Sequence, residues 1–260
     1  MTATRLPDDR LFQDPDLARF YDLENGWAAD FEACARLACD AGSVLDLGCG
    51  TGELAAHLAE GREVVGAGPA AAMLEIARRR PGGERVIWVQ ATAQSLRLAR
   101  TFDLVVLTGH AFQVFLSDAD QQAVLETIAR HLAPDGRFIF DSRNPAAAAW
   151  RDWTPARSRR RLTHPQLGEV EAWTDAAHDP DSGIVTYRTR YRVVGDERTF
   201  SATSRIRFTP REDLATRIAA AGLAVERWLG DWAGADCTAA APDIIPLGRL
   251  AETGSARIGV

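Results

Sequence analysis

A glycine-rich loop is the clearest chemical signal in the chain. In VLDLGCGTGELAAHLA, residues 44–59, Asp46, Gly48, Gly50 and Gly52 stand where a buried strand gives way to a helix. Glycines let the backbone approach a ligand closely, and the N-terminus of the following helix favours polar groups. A dinucleotide loop would be spaced GxGxxG, but this loop is GxGxG, with Glu53 at the place of the third glycine. The spacing predicts a ligand site and disfavours a nicotinamide oxidoreductase.

The next strand ends without the acid that such a site usually has. In nucleotide-binding α/β domains a carboxylate at this point binds the ribose hydroxyls, but in VVGAGPAAAML, residues 64–74, Gly68 occupies the position. A hydrogen bond to a charged group contributes on the order of 1.5–3 kcal/mol, so its loss weakens binding roughly ten- to a few-hundred-fold. Gly68 therefore predicts a weaker site.

Polar side chains also follow the fourth and fifth strands. His110 stands where side chains face a substrate and could accept a proton or orient the nucleophile; a hydrogen-bonded structural histidine is the alternative. In FDSRNP, Arg143 is expected to face the site, with an ion pair to Asp141 as the alternative. Asn144 before Pro145 is typical of a turn.

Apolar runs alternate with helical patterns through the middle of the chain. Two helices are expected first, around PDLARFY and across WAADFEACARLACD. Runs typical of buried parallel strands cover residues 43–48, 63–68, 85–90, 102–108 and 136–141. Helical patterns cover residues 52–60, 69–79 and 118–132. This order predicts a doubly wound α/β sheet with ligands at the carboxyl ends of its strands.

The pattern becomes antiparallel after residue 150. GEVEAWT, GIVTYRTRYRVV and ERTFSATSRIRF alternate strictly, Gly195-Asp196 predicts a two-residue hairpin turn, and RSRRR is expected to be an exposed connector. A helix and two strands, LAVERWL and DIIPLGRL, are expected to close the chain. We interpret residues 1–260 as one domain. Its parts are a helical lid (1–42), a core (43–150), an antiparallel β cap (155–208) and a closing helix with strands (209–260).

Together these features resemble the class I S-adenosylmethionine-dependent methyltransferases. The resemblance runs from about Ser43 to Pro145 and includes HLAPDGRFIF; FYDLENGW and, more weakly, GDWAGADCTAAAPDIIPLGR are similar to members with an antiparallel cap that methylate small molecules. The resemblance implies a Rossmann-like, doubly wound seven-stranded sheet with its last strand antiparallel, plus an antiparallel β insertion. It also implies S-adenosylmethionine as cofactor and S-adenosylhomocysteine as product.

The resemblance also implies roles for individual residues. The loop at residues 48–52 would line the amino-acid end of the cofactor, and Asp46 would order it. Tyr21 and Trp27 would close over the cofactor. The cofactor-binding residues implied are Tyr21, Trp27, Asp46, Gly48, Cys49, Gly50, Gly52, Gly68, Met73, Thr92, Ala93, Gln94, Thr108, Gly109 and His110. The catalytic candidates are His110, Tyr21 and Arg143, and no metal is implied.

Composition excludes several classes of protein. The 260 residues are 46% hydrophobic and 25% charged, with a net charge of −6 that disfavours a general nucleic-acid surface. No apolar run approaches the roughly 20 residues of a membrane span, the N-terminal segment lacks the apolar core of a signal peptide, and the cysteines lack zinc-site spacing. We expect a cytoplasmic monomer or homodimer that acts on a small molecule, without nucleic-acid or membrane partners.

The leading hypothesis is methyl transfer to a nitrogen or oxygen atom of a small molecule. Gly68 motivates an alternative, a protein that binds the cofactor but senses it or has lost catalysis.

Overall fold

The structure, a computed structural model, describes residues 10–196 and 198–252. Its strands in chain order are β1 (Ser43–Leu47), β2 (Glu63–Gly68), β3 (Ile87–Gln90), β4 (Phe102–Leu107), β5 (Leu132–Phe140), β6 (Ser142–Arg143), β7 (Arg160–His164), β8 (Gly168–Asp179), β9 (Ile184–Val193), β10 (Thr199–Arg207), β11 (Leu223–Leu229) and β12 (Asp243–Leu250).

The helices cover the faces of the main sheet and the entrance to its carboxyl edge. They are α1 (Arg10–Gln13), α2 (Pro15–Ala18), α3 (Tyr21–Glu24), α4 (Ala29–Leu37), α5 (Glu53–Leu58), α6 (Ala71–Arg79), α7 (Asp118–His131), α8 (Pro155–Ser158) and α9 (Arg211–Ala220). Short 3₁₀ turns lie at Ala38–Asp40, Gly83–Arg85, Ala111–Val114, Pro145–Ala147 and Ala149–Asp152. None of these helices is long and apolar enough to cross a lipid bilayer.

The main sheet has the order β3-β2-β1-β4-β5-β12-β11. Strands β1 to β5 are mutually parallel, whereas β12 runs antiparallel to both β5 and β11. The two-residue strand β6 adds to β12. The predicted seven-stranded sheet with its last strand antiparallel is therefore confirmed.

Both faces of the sheet are buried at its central strands. Leu45 of β1 packs in one layer with Ile128 of α7, and its neighbour Val44 packs in the other layer with Cys34 and Leu54. Successive side chains of a strand point to opposite faces, so a strand covered on both sides is predominantly apolar, with Asp46 as the buried charged residue of β1. This is why the five runs in the sequence predicted the parallel strands.

The inserted cap is a four-stranded antiparallel sheet in the order β10-β9-β8-β7. Three of its strands were predicted, but RSRRR is not a connector: it contributes to α8 and then to β7, which pairs with β8. The predicted two-residue hairpin turn is also wrong. The N–H of Val193 donates to the carbonyl of Arg198, so a longer loop joins β9 to β10.

The N-terminal helices bridge the core and the cap. The segment predicted as one helix around PDLARFY is divided into α2 and α3. Phe20, between them, is fully buried and stacks on Tyr191 of the cap at 4.2 Å between ring centroids. Ala18 packs instead on Ala70 and Met73 of the core. The role of residues 1–42 as a lid remains a prediction, and residues 1–9 lie outside the described range.

The indole of Trp88 fills the space beneath the glycine loop. An added Cβ would lie 2.4 Å from its ring at Gly66 and 2.3 Å at Gly52, whereas at Gly68 the nearest atom would be Cys49 Sγ at 3.6 Å. Gly66 and Gly68 both belong to β2.

We expect Gly66→Ala to lower the free energy of unfolding by about 1–3 kcal/mol, because a methyl group would overpack the site against Trp88. Gly68→Ala is the matched control and should change it by less than about 0.5 kcal/mol. Urea unfolding followed by circular dichroism measures both. Equal losses for the two variants would contradict this packing argument.

Candidate active site

A cavity of about 570 Å³ lies where the carboxyl ends of the parallel strands face the N-terminal helices and the cap. Twelve of the predicted site residues line it. They are Tyr21, Gly48, Gly50, Gly68, Met73, Thr92, Ala93, Gln94, Thr108, Gly109, His110 and Arg143. The fold therefore gathers side chains that are up to 122 positions apart in the chain, from Tyr21 to Arg143 (143 − 21).

The four other predicted residues lie elsewhere. Asp46 and Cys49 line a smaller adjoining cavity of about 180 Å³. Gly52 lines neither cavity, since the space beside it is filled by Trp88. Trp27 also lines neither; it is 41% exposed, and its ring lies 4.5 Å from that of His57. The structure does not bring Trp27 over the cavity.

The glycine loop presents backbone to the cavity. Gly48, Gly50 and Gly52 have φ values of +84°, +52° and +77°, a left-handed conformation that favours glycine. The N–H groups of Gly48 and Cys49 both donate to the carbonyl of Ala67 in β2, at 2.7 and 3.1 Å. This pair of bonds fixes the loop to the sheet.

The smaller cavity beside the loop is acidic. Asp30, Asp46 and Glu53 line it. Burial raises the pKa of Asp46 to about 7, although a hydrogen bond from the Ala55 backbone lowers it, and burial also raises the pKa of Asp30. Buried carboxylates gain stability from a cation. The glycine loop leaves space that a Cβ would occupy, and the cavity beside it is acidic. Together they fit a ligand with an ammonium group, such as the amino-acid end of S-adenosylmethionine.

Helix α3 is joined to the glycine loop by an ion pair that the sequence did not reveal. Thr51 Oγ1 donates to Asp22 Oδ1 at 2.5 Å, and Arg80 Nη2 donates to Asp22 Oδ2 at 2.5 Å. Arg80 Nε also donates to the carbonyl of Thr51 at 3.1 Å. These bonds hold Tyr21 over the loop, where a Cβ on Gly50 would lie 3.2 Å from its hydroxyl.

The other end of α3 is joined to the cap. Arg160 Nη2 donates to both carboxylate oxygens of Glu24, each at 2.6 Å. Tyr21 itself is a neutral phenol, because burial and then the charge of Asp46 raise its pKa. A protonated phenol favours donation of a hydrogen bond over acceptance of a proton, and the catalytic role of Tyr21 remains a prediction.

His110 lies at the carboxyl edge in an unusual backbone conformation. Its φ is +58°, and its N–H donates to Asp141 Oδ1 at 2.8 Å. Its ring Nε2 lies 2.9 Å from Asp243 Oδ1 and 3.6 Å from Asp141 Oδ2. A neutral ring that donates from Nε2 to Asp243 leaves Nδ1 as the acceptor. Asp243 was missed because it is 133 residues away; it is the first residue of β12, and the antiparallel strand brings it to the carboxyl edge of the sheet.

Arg143 and Asn144 follow β5 as predicted, with different partners. Arg143 is not paired with Asp141; its Nη1 donates to Gln113 Oε1 at 2.9 Å. The turn at Asn144 is present, since its side chain accepts from the N–H of Ala146 at 3.0 Å. Asp141 is buried, which raises its pKa, and its Oδ2 has no hydrogen-bond partner within the described residues.

The wall at residues 92–94 is a turn at the start of a long loop. Thr92 Oγ1 lies 2.7 Å from Ser95 Oγ, and Gln94 Nε2 donates to Asp120 at 3.3 Å. Apolar residues, including Phe12, Ala70 and Met73, surround the end of β2. Glu24 is the one acid among the described residues lining the larger cavity, so no carboxylate takes the place of the missing acid at Gly68. No cluster of three His, Cys, Asp or Glu side chains suited to a metal ion occurs in residues 10–196 and 198–252.

Known sequences similar to this chain are methyltransferases. A family model described as a methyltransferase domain matches residues 44–136. The dTDP-3-amino-3,6-dideoxy-alpha-D-glucopyranose N,N-dimethyltransferase of Streptomyces fradiae is 30% identical over 229 residues, which cover 81% of this chain and 85% of that protein. Other curated relatives match over shorter segments, and the chain spans 41% to 45% of the length of these.

Solved structures share the fold. The sugar N-methyltransferase KedS8 from Streptoalloteichus sp ATCC 53650 superposes with a TM-score of 0.72 at 23% identity, covering 97% of this chain and 98% of that one. CalS10 with bound S-adenosylmethionine, an amino pentose methyltransferase from Micromonospora echinaspora, superposes with a TM-score of 0.66 at 23% identity, covering 86% and 92%.

Gly68→Asp is expected to tighten binding of S-adenosylmethionine and S-adenosylhomocysteine about ten- to a few-hundred-fold, because the cavity has room for the side chain and the carboxylate adds charged hydrogen bonds. Calorimetric titration measures both ligands. Gly68→Asn is the matched control, since it fills the same space without charge, and should tighten binding much less. Unchanged or weaker binding to the aspartate variant would contradict the assignment of Gly68 to the ribose position.

Proposed function

The chain belongs to the class I S-adenosylmethionine-dependent methyltransferases, and we propose that it methylates an amine nitrogen of a small polar molecule of the amino-sugar class. The observation that carries the proposal is the histidine at the edge of the cavity: His110, held by Asp243, shares this space with the glycine loop. S-adenosylmethionine supplies an electrophilic methyl group on a positively charged sulfur.

Residues from the core hold this cofactor in the proposal. The backbone of residues 48–52 receives the amino-acid end, and the acidic cavity at Asp46 stabilises its ammonium group. Met73 and residues 92–94 border the nucleoside, Gly68 lies at the ribose without contributing a charge, and Thr108 and Gly109 lie beneath the methionyl chain. Trp27 is left out of this set because its ring lies outside both cavities.

His110 acts on the acceptor. An amine attacks only through a free lone pair, so a proton must leave it. The neutral ring accepts this proton at Nδ1, and Asp243 stabilises the imidazolium that results, as carboxylates do beside catalytic histidines. Methyl transfer depends largely on positioning, so His110 also orients the amine.

The charges around His110 favour nitrogen over oxygen as the acceptor. Asp141 and Asp243 both lie within 4 Å of the His110 ring, and opposite charges within this range stabilise a cation. An amine is cationic before it loses its proton and again after it is methylated, whereas a hydroxyl is not. The Streptomyces fradiae relative is named as an N,N-dimethyltransferase of a dTDP-linked amino sugar, and CalS10 as an amino pentose methyltransferase.

The negative net charge supports a small molecule over a nucleic acid as substrate. A cytoplasmic location and a monomeric or homodimeric state remain predictions from the sequence.

A cofactor-sensing protein without turnover is the second candidate, because the cavity lacks the carboxylate expected at Gly68. Methyl transfer to any acceptor would remove it.

The test is transfer of a radiolabelled methyl group from S-adenosylmethionine to matched pairs of sugar nucleotides that differ only in bearing an amine or a hydroxyl. We expect label in the amine members. Label only in hydroxyl members would overturn the choice of nitrogen. The absence of label in every member, with cofactor binding demonstrated by calorimetry, would overturn methyl transfer to this class and support the sensing protein.

His110→Asn should reduce kcat roughly 100-fold, the lower range for loss of a general base. Asparagine tolerates the left-handed backbone at this position, so the variant removes the ring and keeps the local fold. Binding of S-adenosylhomocysteine, measured by calorimetry, should stay within about twofold. An unchanged kcat would show that His110 has no part in the reaction.

A further inference from the structure

The positive and negative charges of the side chains that line the larger cavity do not cancel. These side chains are Glu24, Arg143 and Arg160, together with the titratable ring of His110. Glu24 and Arg160 form a two-point ion pair with each other. Within the part of the chain that the structure describes, no carboxylate oxygen lies within 4.0 Å of the guanidinium of Arg143. The cavity therefore carries one cation without an ion-pair partner.

The guanidinium of Arg143 is held in place by neutral groups. Gln113 accepts a hydrogen bond from Nη1 at 2.9 Å, and the ring of Trp153 lies 5.2 Å from the guanidinium carbon. Gln113 is itself fully buried, and its amide donates to the carbonyl of Arg207, which fixes the direction of its oxygen. The backbone of Arg143 is fixed in turn by the pairing of β6 with Asp243 of β12.

The nearby acids are committed to other partners. Asp141 and Asp243 are close enough to Arg143 to raise its pKa, but they face His110 and accept the hydrogen bonds described above. Burial outweighs them and lowers the pKa of Arg143. A guanidinium removed from water without a counter-ion is costly. An anionic ligand would offset this cost, because the planar fork of an arginine matches a carboxylate or phosphate.

We propose that Arg143 binds an anionic group of the substrate, a carboxylate or a phosphate, while His110 faces the acceptor amine. The substrate thus carries both an amine and an anion. This proposal deepens the proposed function and rests on it. It also changes the role predicted for Arg143 from catalysis to binding, because a guanidinium stays protonated and cannot exchange protons with the acceptor.

Calorimetric titration of the whole protein, with and without S-adenosylhomocysteine, tests the proposal. Thymidine diphosphate and thymidine form the phosphate pair of probes, and glucuronate and glucose form the carboxylate pair. We expect at least one anion to bind more tightly than its uncharged counterpart, and the pair that responds identifies the source of the charge.

Arg143→Gln should weaken binding of that anion about 10- to 100-fold, the range for loss of charged hydrogen bonds. Binding of S-adenosylhomocysteine should stay within about twofold. Arg143→Lys keeps the positive charge but lacks the planar guanidinium, so it should lose a smaller part of the anion affinity. This second variant tests the proposal if Arg143→Gln does not fold. Arg205→Gln, an exposed residue of the cap strand β10, is the control and should leave anion binding unchanged.

Equal anion binding by the wild-type protein and Arg143→Gln would overturn the proposal. It would also be overturned if no anion bound better than its neutral counterpart. Failure of the wild-type protein to bind S-adenosylhomocysteine would instead count against the proposed function. The titrations without that ligand would still report on Arg143.

Discussion

Parallel pairing of β1 with both β2 and β4 is the constraint on which the site depends. Because the three strands run in one direction, the glycine loop after β1, Gly68 at the end of β2 and His110 after β4 meet at one edge. The loop is bonded directly to β2 through the Ala67 carbonyl. Any ligand at this edge therefore meets glycine backbone on one side and polar side chains on the other.

The antiparallel strand β12 completes the polar side of the site. Its reversed direction places its first residue, Asp243, beside the ends of β5 and β6. From there its carboxylate reaches the ring of His110 and fixes which nitrogen donates. A parallel strand at the same position would present its last residue instead. The orientation of His110 is thus a consequence of sheet topology.

Helix α3 links the two walls of the cavity. Asp22 joins it to the glycine loop and Arg80, and Glu24 joins it to Arg160 of the cap. The four-residue helix α3 therefore holds Tyr21 over the loop. Its last residue, Glu24, also neutralises the charge of Arg160 in the cap. One result is electrostatic: with Arg160 paired, Arg143 is the cavity cation that has no carboxylate partner among residues 10–196 and 198–252, and it lies close to the proposed acceptor site.

The sheet and the position of the glycine loop were predictable from the sequence, because burial on both faces requires apolar runs and a ligand-binding turn requires glycine. It also located His110 and Arg143 at the ends of strands. The side-chain partners within the site depend on the tertiary structure. Asp243, Gln113, Arg80 and Arg160 are distant in sequence from the groups they contact, and no local pattern encodes such pairs. The cap strand within RSRRR was missed for the same reason, since its pairing with β8 and the ion pair of Arg160 hold it in place. For Trp27 the sequence was misleading. Its position in the chain predicted a place over the cavity, but its ring packs against His57 and lies outside.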